Sequence, residues 1–456
     1  MRRLAFALLF IAAPIVAQDT AAIDKAVNDV LKQTGAPSAS IAVVKDGKIV
    51  YTHAYGLARL EPPMPATSEM RYSIGSISKQ FTASAILMLA EEGKLSLDDR
   101  MARWFPDLTR ASDVSIRELL SMTSGYQDFW PQDYVMPMML NPVTPQEILN
   151  GWAKKPLDFE PGTKWQYSNT NYVIAGMIVE RAAGMPLLDF LQKHVFGPLQ
   201  MTSVVNTDLA PLGPDQPLRY LRYALGPLRE APKEGRGWMF AAGELAMTAQ
   251  DLAKWDISMM DQTILKPASY KTLETEVELA NGVGTRYALG VGVGMSDGRR
   301  FVTHGGEVSG FTATNTVYPD DRAAVVVQVN QDASGASSQI ASRIGTVLFA
   351  VNDPATAATT AQMQKIFEGL QHGQIDRSQF TSNANAYFSD QAIKDFASSL
   401  GPLGKWQEFV QASQSLRGGM TLRRYRIRFP QKTLGLTTFI MPDGKIEQYQ
   451  IAAEGS

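Results

Sequence analysis

Cysteine is absent from this 456-residue chain, and histidine occurs only four times, at His53, His194, His304 and His372. A Cys/His zinc site is therefore excluded, no two histidines share a helical turn, and no motif supports a carboxylate-only metal site. An excess of one charge is missing as well: 43 Lys and Arg stand against 45 Asp and Glu, with no block of like sign. Nothing here would gather a polyanion, so nucleic acid is not an expected partner. Long apolar runs are confined to the N-terminus, where Arg2 and Arg3 precede residues 4–15 and Ile15-Val16-Ala17 closes the run. That run is shorter than the ~20 residues a spanning helix needs, and its layout is that of a cleavable signal peptide over residues 1–17. The reading implies an exported protein, periplasmic or secreted, starting at Gln18 and without a stable membrane span once the signal is removed. An exported chain lacking cysteine cannot mispair in an oxidising compartment.

What is present is the composition of a globular protein, 45% apolar and 19% charged, and too long for one ordinary core. Ile23, Val27, Val30 and Leu31 recur at helical spacing up to Gly35 and Pro37. Two strand-like runs, 40–44 and 48–52, then flank Asp46-Gly47, a pair that favours a hairpin turn. Helical patterns follow at 77–92, 116–121, 145–152, 172–183, 187–194 and 248–260. Strand patterns follow at 287–293, 300–304, 312–318 and 323–330, and 338–351 reads as a closing helix. Strands at both ends with helices between them predict an α+β domain over 18–352, its antiparallel sheet built from both termini and a helical layer inserted from the middle. Residues 353–360, with Pro354 and several Ala and Thr, read as a linker. A small α+β domain is expected over 361–456, with helices at 363–370 and 384–400 and strands at 406–416, 421–430, 434–441 and 446–452. Its role and the oligomeric state are not written in the pattern.

No Gly-x-Ser-x-Gly elbow occurs and no Gly-rich phosphate loop opens a helix, and no cofactor is expected. The segment Ser73-Ile74-Gly75-Ser76-Ile77-Ser78-Lys79 instead runs straight into an apolar helix. Lys79 follows Ser76 by three positions, so one turn puts the amine on the hydroxyl's side. A lysine held neutral by burial can serve as the base that makes serine nucleophilic, and a helix N-terminus aims backbone N–H groups at a developing oxyanion. Alone, the pair reads better as a capping serine beside a solvated lysine, because Ser-x-x-Lys occurs by chance in most long proteins.

Tyr167-Ser168-Asn169, preceded by Phe159-Glu160-Pro161-Gly162, and His304-Gly305-Gly306 change that balance. With Ser76-x-x-Lys79, with 119–125 (Leu-Leu-Ser-Met-Thr-Ser-Gly) and with Ala242-Gly243-Glu244-Leu245 followed by 247–251, the order of motifs resembles the serine β-lactamase and penicillin-binding-protein superfamily. The resemblance runs from about Ile23 to about Val351 and is greatest to the class C-like branch, which also holds family VIII carboxylesterases and D-stereospecific aminopeptidases. It implies a β-lactamase/transpeptidase-like fold and an acyl-enzyme on Ser76, with Lys79 and Tyr167 sharing the base role. Tyr167 would act as phenolate only if cationic neighbours lower its pKa. It further implies that Asn169 tethers Lys79 and that the backbone N–H groups of Ser76 and Glu307 form the oxyanion hole, with Gly305 and Gly306 letting the edge strand approach substrate.

The departures bear on substrate. Penicillin targets carry Lys-Thr-Gly where this chain has His304-Gly305-Gly306; the resemblance thus counts His304 among the catalytic residues, and a neutral histidine there attracts a carboxylate less. The substrate expected is a small ester, an amide or a short peptide. The alternatives are β-lactamase or D-alanyl-D-alanine carboxypeptidase activity, or a binding protein that kept the fold and lost turnover. Met122 stands where the family often has histidine. Tyr126, Phe129, Trp130, Tyr134, Met136, Met138 and Met139 follow no single period and read as core or as an acyl pocket. Residues 212–238 read as a lid or a passive surface excursion, and Arg424, Arg426 and Arg428 as a solvated strand face.

Overall fold

A computed structural model describes residues 17–296, 298–349 and 354–453; the expected signal peptide lies outside these apart from Ala17. The chain forms two compact units that part between Leu348 and Phe349.

In the first unit a seven-stranded antiparallel sheet runs, in spatial order, Met64–Pro65, Lys48–Arg59, Ser38–Lys45, Ala323–Val329, Phe311–Tyr318, Arg299–Val308 and Gly292–Ser296. Strands from the two ends of the unit meet at its centre, where Ala42 lies opposite Val326. Alternation then decides what each face covers. Ile41, Val43, Val325, Val327 and Val329 pack against Ile23, Val27 and Val30 of helix Ala17–Thr34 and Ile340 and Ile344 of helix Ala336–Leu348. Ala42, Val44, Ala324 and Val326 face the inserted helical layer, whose core contains Ile77, Phe81, Ile86, Tyr172 and Trp255. Both faces of the central strands are covered, which is why they are mostly apolar, with Ser38, Ser40 and Gln328 buried among the aliphatic residues. Asp46 and Gly47 take positive φ at the tip of the first hairpin, as their sequence predicts.

The strand predicted at 287–293 is shorter, beginning at Gly292. Gly290, at φ +78°, turns the chain there, and a Cβ on it would lie 3.0 Å from the Lys79 carbonyl oxygen. That turn lets the segment pass close beneath the nucleophile helix.

The linker predicted at 353–360 is a correction. Residues 354–360 form the opening turns of helix Pro354–Gln371. Proline is tolerated in a first helical turn and alanine favours helix, so a stretch poor in large apolar residues was not an irregular one. Farther along, Met363, Ile366, Phe367 and Leu370 make the buried stripe of that helix. The predicted helix at 384–400 is two, Ser382–Tyr387 and Asp390–Leu400, because Ser389 caps the second by accepting from Ala392 N. The sheet of this unit is a four-stranded meander, Glu408–Arg417, Met420–Arg428, Thr433–Ile440 and Ile446–Ala453. Tyr425 and Ile427 point into its core, whereas Arg424 and Arg426 are exposed.

Candidate active site

The nucleophile segment is anchored before it turns. Tyr72–Ser73 pairs with Leu245–Met247, and Ile74 N donates to Leu245 O. The chain then makes a single 3-10 turn, Gly75–Ile77, and enters helix Ser78–Glu91 without a break. Ser76 sits at the centre of that turn. Every residue of the helix from Ser78 to Leu89 is buried, so Lys79 is fully enclosed at 0% exposure.

The Lys79 ammonium has three partners, Ser76 Oγ at 2.9 Å, Asn169 Oδ1 at 2.8 Å and the Ala242 carbonyl at 2.8 Å. Burial lowers its pKa to about 7, against the pull of Asp128. Once the proton leaves, two hydrogens remain on the amine. Two of its neighbours, the amide oxygen and the backbone carbonyl, can only accept, so both hydrogens stay with them and the lone pair faces Ser76. The bland alternative of a solvated lysine is ruled out by this enclosure.

Tyr167 lies just ahead of helix Asn169–Ala183, its ring centroid 4.9 Å from Lys79 Nζ. Its hydroxyl is buried without a hydrogen bond of ordinary geometry, although Ser76 lies near enough to favour the ionised phenol in part. Burial pushes the phenol well above its usual range, and the Asp128 charge adds to this. The condition for a phenolate is therefore not met: Tyr167 is a neutral phenol at physiological pH. Desolvation wins because the nearest cation, Lys79, itself loses its charge near neutrality.

His304 also departs from expectation. Its Nδ1 lies 2.5 Å from the Gly305 carbonyl, which only accepts, so Nδ1 carries the hydrogen. Nε2 then accepts from the Tyr287 hydroxyl at 2.9 Å. Burial, reinforced by Lys79, lowers its pKa to about 4. Both nitrogens are occupied within the protein and His304 does not line the cavity, so it supports Tyr167 from behind instead of meeting substrate. Gly305 and Gly306 do not line it either. Their contribution is close approach: a Cβ on Gly306 would fall 1.8 Å from the Ile74 carbonyl oxygen, and one on Gly75 would fall 2.7 Å from Glu307 N. The strand Arg299–Val308 thus lies flush on the nucleophile turn, and Glu307 reaches the cavity.

The cavity above Ser76 holds about 470 Å³. Tyr167 and Asn169 stand beside Ser76 on its floor, and Phe129, Trp130, Tyr134, Val135, Trp238 and Met239 make apolar walls. Of the aromatic and methionine residues whose role was open, Tyr126 and Met139 belong to the core, whereas Phe129 serves both core and wall. Met122 is core too, its sulfur receiving Ser168 N at 3.4 Å. Residues 212–238 are tied down instead of hanging free. Glu234 accepts from Ser309 N at 2.8 Å, Lys233 donates to the Thr207 carbonyl at 2.6 Å, and Asp208 holds Gly237 N at 2.9 Å.

Four carboxylates line the cavity, Asp128, Asp133, Glu307 and Asp332, and no lysine or arginine does among the described residues. Only Glu307 was singled out in the sequence, and for its backbone; the three aspartates carry no motif. Among the described residues no group of three or more His, Asp or Glu side chains could hold a metal ion.

An amine-activated serine beneath a cavity open to solvent, on a sheet built from both ends of a unit, defines a serine hydrolase. The chain belongs to the Beta-lactamase family, whose model matches residues 23–345. Among curated relatives it is 28% identical over 325 residues to "Penicillin-binding protein 4*" of Bacillus subtilis, covering 64% of this chain and 68% of that one. It is 26% identical over 339 residues to a D-aminopeptidase of Brucella anthropi, covering 73% and 63%. The alignments thus span about two thirds of those relatives' lengths. The D-amino acid amidase of Ochrobactrum anthropi, solved with D-phenylalanine, superposes with a TM-score of 0.66 at 24% identity, covering 73% of this chain and 99% of that one, and shares the fold.

Proposed function

We propose that the protein is an exported hydrolase that cleaves an amide or ester through an acyl-enzyme on Ser76, favouring substrates with a free amine over anionic β-lactams. The observation that carries the substrate half is the cavity lining, four carboxylates and no cation. Burial raises the pKa of Glu307 and Asp332, and a bound ammonium would oppose that shift. The D-aminopeptidase relative supports the same choice. Export rests on residues 1–17 alone.

In this reading neutral Lys79 takes the Ser76 proton as Oγ attacks the carbonyl carbon. The oxyanion is held by the backbone N–H groups of Ser76 and Glu307. Tyr167, as a neutral phenol, donates its proton to the leaving nitrogen or oxygen and is reprotonated from Lys79. Water then attacks the ester on Ser76, and the same groups return the protons. Because an ammonium has no lone pair, kcat/KM for p-nitrophenyl acetate rises with pH through an acid limb at about 7 and then levels. A pH-rate profile that is flat from 5 to 9 contradicts Lys79 as the base.

The test is intact-mass spectrometry after brief exposure to activated esters, D-aminoacyl amides and penicillins. Adducts from the first two classes are expected. A lasting adduct from penicillins alone would move the reading to a penicillin-binding enzyme, and none from any class would favour a binding protein.

A further inference from the structure

We propose that Asp128 is a positioning residue that locks the Asn169 amide in one orientation and so aims the Lys79 amine at Ser76, an inference that rests on the acyl-enzyme reading above. The Asp128 carboxylate receives the Asn169 backbone N at 2.9 Å, the Asn169 side-chain Nδ2 at 3.2 and 3.3 Å, and Trp130 N at 3.2 Å. It caps from outside a helix that has no side-chain cap of its own, since Ser168 makes none. An amide has one accepting end and one donating end. A carboxylate can face only the donating end, which leaves Oδ1 turned to Lys79 Nζ at 2.8 Å. Flipping the amide would set oxygen against carboxylate and N–H against the amine, losing the contacts on both sides.

The same carboxylate opposes, through its charge, the desolvation of Lys79. The other groups facing this amine are the Tyr167 and Tyr172 rings, at 4.9 and 5.5 Å, and His304, which is neutral. Asp128 is thus the one anion in its surroundings, among the described residues, that acts on its charge.

The experiment measures kcat/KM against pH with p-nitrophenyl acetate, a substrate without an amine, for the wild type, Asp128→Asn and Asp128→Glu. With the charge gone and the amide free to flip, Asp128→Asn is expected to move the acid limb down by about one pH unit and to lower the plateau about 10- to 100-fold. Asp128→Glu keeps the charge, so its limb stays near 7 while its plateau falls. This second variant keeps the test open if Asp128→Asn is poorly folded by circular dichroism. In an Asn169→Ala background, Asp128→Asn is expected to lower the plateau no further, because the two act as a unit. The inference is overturned by an unmoved limb and plateau, by an undiminished loss in the Asn169→Ala background, or by a loss seen only in KM for D-phenylalanine p-nitroanilide, which would make Asp128 a substrate contact. Failure of the wild type to acylate at Ser76 would overturn the acyl-enzyme reading itself, a result distinguishable from all of these.

Discussion

Ser76→Ala is expected to abolish fluorophosphonate labelling and to lower kcat/KM toward p-nitrophenyl acetate by about 10⁴-fold or more. The loss is this large because, among the described residues, Ser76 carries the one hydroxyl hydrogen-bonded to the Lys79 amine. Its remaining partners, Asn169 Oδ1 and the Ala242 carbonyl, are acceptors that cannot attack a carbonyl carbon. The fold should survive, since one hydrogen bond to a half-buried hydroxyl is removed, a change of about 1 kcal/mol. A thermal melt close to that of the wild type, with labelling gone, assigns the effect to chemistry. Labelling that persists in the variant places the nucleophile elsewhere and ends the case for Ser76.

Gly306→Ala should have the next largest effect, for a different reason. The added Cβ would sit 1.8 Å from the Ile74 carbonyl oxygen and 2.8 Å from its carbon, and backbone atoms of an anchored segment cannot swing aside. The strand must retreat from the nucleophile turn and carry Glu307 N with it. A displaced oxyanion donor costs about 10² to 10³ in kcat, and overpacking costs about 1–3 kcal/mol of stability. Gly305→Ala is the internal comparison. Its Cβ would meet nothing nearer than the Ala313 carbonyl oxygen at 3.9 Å, so its losses in kcat and melting temperature should be much smaller. Equal effects of the two substitutions would mean that close approach is not what these glycines provide.

The contrast between those neighbours marks how far the chain could be read without coordinates. Adjacent glycines in His304-Gly305-Gly306 look equivalent as letters, and only packing against Ile74 separates them. His304 itself was legible as a replacement for lysine, yet its tautomer and its withdrawal from the cavity follow from Tyr287 and the Gly305 carbonyl. Asp128 went unnoticed because no spacing ties it to Asn169, 41 residues away along the chain. The mistaken linker at 353–360 has the opposite origin. There the local signal was read by its lack of large apolar residues, when the helix needed only its later turns to be buried.

The sequence by itself determined the family, the hairpin at Asp46-Gly47, the shared helical turn of Ser76 and Lys79, and the Tyr167-x-Asn169 pair. All of these depend on spacings of a few residues, which local backbone geometry converts directly into juxtaposition. Tertiary structure alone decided that Lys79 titrates near neutrality, that Tyr167 remains a phenol, and that the cavity is lined by carboxylates. Charge state depends on how much water has been excluded and on which distant charges remain close, and that sum exists only once the segments around 76, 128, 167, 242 and 307 are packed together.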